Sequence, residues 1–296
     1  MADPTPFHAR DGVIWFNGEL TPWRDATVHV LTHAMHYASA VFEGQRCYDG
    51  RIFALSQHSQ RLIDSARILG FEIPWTRDQI DEACNAVVTA NGFTDCYMRP
   101  IAWRGSEQMG VSAKRTRINL AIAAWHWGAY FGDDVYQHGL RLGIARYRRP
   151  APYTAPTASK AAGLYMICTI SKHEAEDAGY HDAMMLDWRG QVAEATGANI
   201  FFVRGSELHT PTPDCFLDGI TRRTIIDLAR QRGLSVIERA IWPEELESFE
   251  QAFLTGSAAE VTPIGSIGPW RFTVGNIVGQ LRRDYADLVR GRRSDM

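Results

Sequence analysis

"TAPTASKAAGLYMICTIS", residues 154–171, carries a single charge, Lys160, among small and apolar neighbours. The chain holds three lysines, Lys114, Lys160 and Lys172, against 31 basic residues in all, so arginine supplies nearly every other positive charge. Arginine stays protonated in proteins, whereas a lysine ammonium can be desolvated into a neutral amine. A neutral amine attacks carbonyl carbon and forms a Schiff base, and burial among Ala, Gly and Leu favours the neutral form. The other reading is a lysine whose stem packs while its head reaches water. Composition leaves the two open. Lys172, in "SKHEAEDAG", reads as part of a solvated helix face, and Lys114, in "SAKRTR", as a surface loop residue.

The totals bound the rest of the chain. It has 296 residues, 45% of them hydrophobic, enough for one large domain or two ordinary ones. The net charge of −3 is spread along the chain, with no basic block for nucleic acid. The N-terminus lacks the apolar run of a signal peptide, and no stretch approaches the roughly 20 apolar residues that span a membrane. A cytoplasmic location is therefore expected. The five cysteines (Cys47, Cys84, Cys96, Cys168 and Cys215) form no C-x-x-C pair, which argues for reduced thiols over a disulfide framework or a zinc site. No metal is expected.

Local patterns predict two α/β units meeting near residue 130. In the first, "GVIWFNGEL" and "TVHVL" read as strands, with an Asn-Gly turn in the former, and "CYDGRIFAL" as a hairpin about Asp49-Gly50. "SQHSQRLIDSARILGF" has helical spacing, and a second helix opens at Thr76 and closes near Asn91-Gly92. "DCYMRPIAW" and "RINLAIAAWHW" read as strands. Beyond the polar, glycine-punctuated "GAYFGDDVYQHG", a helix is expected over 163–178 and others in "GITRRTIIDLARQRG" and "NIVGQLRRDYADLVRG". Strands are expected at "LRLGIARYRR", "AMMLDW", "NIFFVRG", "ELHTP", "LSVIERAI" and "QAFLTGS".

A lysine imine in metabolism usually means pyridoxal 5'-phosphate, which asks for three further groups. The ring nitrogen needs an acid, the phosphate needs backbone N–H groups or arginine, and the phenolic oxygen needs a hydrogen bond. Glu194, in "GQVAEATGANIFF", sits in a small-residue turn between apolar strands with no cationic neighbour in sequence. An exposed turn glutamate is the plainer alternative. Gly219, Ile220 and Thr221 open a helix whose free N–H groups and dipole attract phosphate, although a simple capped helix would look the same. Gly256, Ser257 and Ala258 end a strand and could form a second nest of N–H groups. Tyr165 lies five residues after Lys160. Arg61 could add a phosphate charge or be a solvated helix arginine.

Taken together, "HAMHYASAVFEGQRCY", "YMRP", "WGAYFG", "SKAAGLY", "EATGANIFF", "DGITR" and "TGSAAEVTP" resemble, in family order, the fold-type IV pyridoxal-phosphate enzymes. Within them the chain is similar to the branched-chain amino acid aminotransferases, over roughly residues 14–268. The resemblance implies an α/β (α+β) fold. It divides into a small N-terminal α/β domain (1–128), an interdomain loop (129–139) and a larger, β-barrel-like C-terminal domain with helices (140–296) carrying the cofactor lysine. It implies transamination between branched L-amino acids (Leu, Ile, Val) and 2-oxoglutarate. Lys160 would be the imine lysine and proton shuttle. Glu194 would pair with the pyridine nitrogen and Tyr165 with the phenolic oxygen. Arg61, Gly219, Ile220, Thr221, Gly256 and Ser257 would hold the phosphate. Phe42, Tyr97, Arg99, Trp127 and Tyr130 would line the substrate pocket, with Ser257 and Ala258 beside it. Tyr37 and Val111 would reach in from a partner subunit, which implies a homodimer or higher homo-oligomer. Family rivals are D-amino acid and (R)-amine transaminases and aminodeoxychorismate lyase. The family often reads G-E-N where this chain has Gly197-Ala198-Asn199, and commonly has threonine at Ser257.

Overall fold

The computed structural model describes residues 5–128, 132 and 134–292. The chain divides into two units, Met1–Gly128 with Ser159–Gly163, and Ala129–Ala158 with Leu164–Met296. The segment Ser159–Gly163, expected with the C-terminal domain, is grouped with the first unit. The reason is backbone bonding. Ala161 bridges Val41, and the Phe42 N–H donates to the Lys160 carbonyl at 3.1 Å.

Among its described residues the first unit has strands β1 (Val13–Phe16), β2 (Glu19–Pro22), β3 (Ala40–Phe42), β4 (Gln45–Tyr48), β5 (Arg51–Ile52), β6 (Cys96–Arg104) and β7 (Ile118–Trp125), and helices α1 (His33–Tyr37), α2 (Leu55–Ile68) and α3 (Arg77–Ala90). The strands form one sheet in the order β2-β1-β7-β6-β4-β5, with β3 also on β6. Its tight turns follow the sequence. Asn17 (φ 51) with Gly18 and Asp49 (φ 49) with Gly50 turn β1 into β2 and β4 into β5, since Asn, Asp and Gly tolerate the left-handed region such turns need. Thr76 caps α3 reciprocally with Gln79, worth about 1 kcal/mol. The period of two splits the sheet. Cys47, Cys96, Met98, Leu120 and Ile122 face α2 and α3 and pack on Leu62, Ala66, Ile80 and Val87. Ala40, Ile101, Trp103 and Ala121 cluster on the opposite face, the face that Phe42, Tyr97 and Arg99 also share by register. "TVHVL" is not a strand. Its backbone is spent on local turns, with the Thr27 N–H donating to Asp25 and the Thr32 N–H to His29.

The second unit has strands β8 (Leu140–Ile144), β9 (Asp182–Leu186), β10 (Val192–Ala195), β11 (Asn199–Arg204), β12 (Glu207–Pro211), β13 (Ser235–Arg239), β14 (Gln251–Gly256), β15 (Glu260–Ile267) and β16 (Trp270–Arg271), and helices α4 (Val135–His138), α5 (Met166–Asp177), α6 (Ile220–Gln231) and α7 (Asn276–Val289). The order β10-β9-β8-β15-β14-β11, with β10 also paired to β11, closes a six-stranded ring, extended by β12 and β13. Leu140, Met184, Val192, Phe202, Leu254 and Ile264, one from each ring strand, meet in a single apolar cluster, which is how a small barrel fills itself. Four expectations change here. Residues 129–139, expected as a loop, include the one-turn α4, while 129–131 and 133 lie outside the described residues. Residues 162–165 form a tighter 3-10 turn leading into α5. Glu194 lies in β10 and not in a turn, paired with Met185 and Asn199. Residues 260–267 add a strand that the sequence reading missed, with Pro263 inside it. Among the described residues, no helix is long and apolar enough to cross a membrane.

The register of β15 on β8 slips between Ile264 and Ser266, where two backbones nearly touch. A methyl placed on Gly265 would lie 2.2 Å from the His138 carbonyl oxygen. Backbone cannot yield as a flexible side chain can. Gly265→Ala is expected to cost roughly 2 kcal/mol or more, read as a lowered urea midpoint. An unchanged midpoint would show that the crossing relaxes freely.

Candidate functional site

In the first unit, three hydrogen bonds fix the lysine's backbone. The Ser159 hydroxyl donates to the Ser65 carbonyl at 2.9 Å, the Lys160 N–H donates to the Ser65 hydroxyl at 3.1 Å, and the Phe42 N–H closes on the Lys160 carbonyl. The amine lies 4.9 Å from the centre of the Phe42 ring. Burial lowers its pKa to about 8; the Arg61 cation pushes the same way, and the Glu43 carboxylate opposes both. The sequence showed only apolar neighbours, but the fold supplies charged ones.

Arg61 does not stand alone. Its Nε and Nη2 donate to Glu43 Oε1 and Oε2 at 2.7 and 2.8 Å. Glu43 is fully buried and also meets His58 Nδ1 at 2.7 Å; facing a carboxylate, that nitrogen carries the shared proton. Burial alone would raise the Glu43 pKa, but Arg61 and then His58 outweigh it and hold the carboxyl well below the usual carboxylate range. Burial pushes the His58 pKa down, against the pull of Glu43. Neither Glu43 nor His58 stood out in the sequence. Glu43 sits within a quoted motif, but its partners come 15 and 18 residues later on α2.

Four of the residues expected around the substrate, Phe42, Tyr97, Arg99 and Trp127, lie near one another. Tyr97 lies 4.9 Å from Trp127, centroid to centroid. Arg99 Nη2 donates to the Tyr97 hydroxyl at 3.2 Å, and its guanidinium carbon lies 4.7 Å from the Phe42 ring centre. Its buried Nε has no hydrogen-bond partner among the described residues. Gly44 leaves room for the Tyr97 hydroxyl, which a methyl there would meet at 2.1 Å. Tyr37 stacks on His33, and Tyr37 and Val111 stand 44% and 87% exposed. Tyr130 lies outside the described residues.

The second unit holds an acid and an uncapped helix start. Glu194 faces Arg149, whose Nε approaches Oε1 at 3.4 Å; the two side chains are 12% and 4% exposed. Burial lowers the Arg149 pKa, but Glu194 and its neighbours outweigh that and raise it. Arg149 was missed because 45 residues separate it from Glu194. Asn199 Nδ2 lies 3.4 Å from Glu194 Oε2 and donates to the Leu217 carbonyl at 2.9 Å, while its Oδ1 accepts the Gly219 N–H at 3.2 Å. One side chain thus ties the acid to the start of α6. That helix has no side-chain cap, leaving the first-turn N–H groups at Ile220 and Thr221 to other partners. Across the sheet, Thr255 pairs with Asn199 in register. Its hydroxyl is buried beside Gly256, Ser257 and Ala258, with no hydrogen-bond partner among the described residues. Tyr165, half-buried, ends the 3-10 turn. Ala198 is buried in the apolar cluster, so this chain packs a methyl where the family pattern has a carboxylate.

The first unit thus holds a lysine of lowered pKa, and the second an acid paired with arginine near an uncapped helix start. The amino-transferase class IV profile matches residues 40–267. The chain is 42% identical over 290 residues to a branched-chain-amino-acid aminotransferase of Pseudomonas aeruginosa, covering 96% of this chain and 94% of that one. It is similar in structure to the branched-chain amino acid aminotransferase of Escherichia coli, with a TM-score of 0.93, 37% identity and 97% of each chain covered. Another solved branched-chain amino acid aminotransferase, complexed with N-(5'-phosphopyridoxyl)-L-glutamate, gives a TM-score of 0.90 at 36% identity over 96% of each chain. The chain belongs to the class IV aminotransferases.

The environment of Lys160 makes a pH prediction. A group with a lowered pKa gives up its proton early as pH rises. Acylation of Lys160 in the cofactor-free chain should therefore reach half its limiting rate near pH 8, against roughly 10.4 for an ordinary lysine. Mass spectrometry of the Lys160 peptide reads the rate, and a midpoint near that ordinary value would contradict the depressed amine.

Proposed function

We propose that the chain transfers amino groups between branched-chain L-amino acids and 2-oxoglutarate with pyridoxal 5'-phosphate, using Lys160 as the reacting amine. The observation that carries this reading is the Lys160 amine, depressed to about 8 beside Arg61 and the Phe42 ring. The relatives' activity supports the branched substrates, and the glutamate adduct held by one of the structural relatives supports the acceptor.

The donor set fits the cofactor. The residues that would hold its phosphate are Ile220 and Thr221 at the uncapped start of α6, Gly256 and Ser257, and Arg61 in the first unit as the cation. The buried Thr255 hydroxyl beside that turn marks the same polar demand. When bound, the cofactor supplies a carbonyl carbon for the amino donor and a ring that takes up an electron pair. Glu194, faced by Arg149, would hold a proton at the ring nitrogen, and Tyr165 would donate to the phenolic oxygen. The Lys160 amine takes the proton from the substrate Cα and returns it on the far side of the transfer. The Ala258 N–H and Ser257 orient the substrate α-carboxylate. Phe42, Tyr97 and Trp127 provide apolar walls for a branched side chain. Tyr37 and Val111, apolar and exposed, support a homodimer in which they face the partner's substrate.

Three outcomes test this. Borohydride should fix the cofactor to Lys160, and Lys160→Arg should keep its fold yet lose turnover by on the order of 10²–10⁴-fold; label on Lys114 or Lys172 would overturn the assignment. Glu194→Gln should bind cofactor but slow proton transfer roughly a hundredfold, because an amide does not stabilise a protonated ring; a wild-type rate would dismiss the acid. Arg99 should pair with the side-chain carboxylate of glutamate, a charge-assisted contact of roughly 1.5–3 kcal/mol. Its buried Nε, a donor left over by the pocket wall, supports that role. Arg99→Ala should slow the glutamate half-reaction about ten- to a hundredfold and spare leucine; equal losses would make Arg99 a bracing residue.

A further inference from the structure

Glu43 is a fully buried carboxylate that the transfer reaction does not call upon. It takes two hydrogen bonds from Arg61 and one from His58. A buried ion pair of this kind is weak as a source of stability, because desolvation consumes most of the attraction. Its position suggests another role. Glu43 directly follows Phe42, whose N–H holds the Lys160 carbonyl. Arg61 lies one helical turn before Ser65, whose hydroxyl accepts the Lys160 N–H. Both members of the pair are therefore tied through backbone to the reacting lysine. We propose that Glu43 is a positioning residue: with His58 it fixes the Arg61 guanidinium, and the fixed pair sets the charge that the Lys160 amine meets.

This rests on the assignment of Lys160 as the reacting amine. The groups that act on that amine are Arg61, Glu43 and His58, on or beside α2, and Tyr97 and Arg99 on β6. Tyr97 and Arg99 hold each other. Glu43 and Arg61 have opposite signs, so removing each must move the amine in opposite directions. Loss of the carboxylate leaves an uncompensated cation that disfavours the ammonium. Loss of the guanidinium does the reverse. A pair whose charge does not reach the amine would give no shift when either member was cut.

The test uses the full-length chain, with acylation of Lys160 followed against pH by mass spectrometry. Glu43→Gln should lower the midpoint by roughly one pH unit, Arg61→Gln should raise it by a similar amount, and Glu43→Asp, which keeps the charge, should stay within a few tenths of the parent. Shifts of the same sign, or no shift in a folded variant, would overturn the proposal. Should Glu43→Gln fail to fold, Arg61→Gln decides alone: an upward midpoint supports the proposal and a fixed or lower one rejects it. Borohydride labelling of the loaded parent separates the two levels. Label on Lys160 with unresponsive midpoints rejects the role of Glu43 alone, whereas label elsewhere rejects the assignment of the lysine.

Discussion

The hydrogen bond from the Phe42 N–H to the Lys160 carbonyl is the constraint on which the first unit's chemistry depends. An amine whose pKa is lowered has to be held out of water or next to positive charge, and a flexible four-carbon stem does not achieve that unaided. The fold anchors the stem at its root. Ser65 receives the segment from one side and β3 from the other, so the only freedom left to Lys160 is in its side chain. What the amine meets is then fixed by Phe42, Arg61 and Glu43, all on elements bonded to the same short segment.

The second unit solves the complementary problem. A partly buried carboxylate needs an opposing charge, and Arg149 behind Glu194 supplies it. Asn199 then sets the spacing between that acid and the helix start that attracts an anion, because one amide contacts both.

Local chemistry made much of this legible in the sequence. Asn17-Gly18 and Asp49-Gly50 marked hairpins, Thr76 with Gln79 marked a helix start, and a solitary lysine in an arginine-rich chain marked unusual chemistry. These signals lie within a few residues of what they specify. The partners that tune the site do not. Arg149 meets Glu194 across 45 residues, and Glu43 meets Arg61 across 18, with nothing in the intervening sequence to join them. "TVHVL" alternates like a strand but joins no ladder, and turn bonds at Thr27 and Thr32 bend the chain at either end of it. Glu194 reads as a turn residue because its strand is four residues long and irregular between Val192 and Glu194. Short strands in a ring are defined by their neighbours rather than by their own composition.

The six-stranded ring closes where β10 meets β11, and the register pair at that closure is Glu194 with Asn199. A closed sheet has no free edge, and its weakest line is the ladder with the fewest rungs. Here that seam and the acid's mounting are the same two residues. Any transient parting of the barrel wall along it displaces the carboxylate and slackens the amide's hold on α6 at once. Opening that one rung would disturb the acid and the helix start together, without any other ladder of the ring having to part.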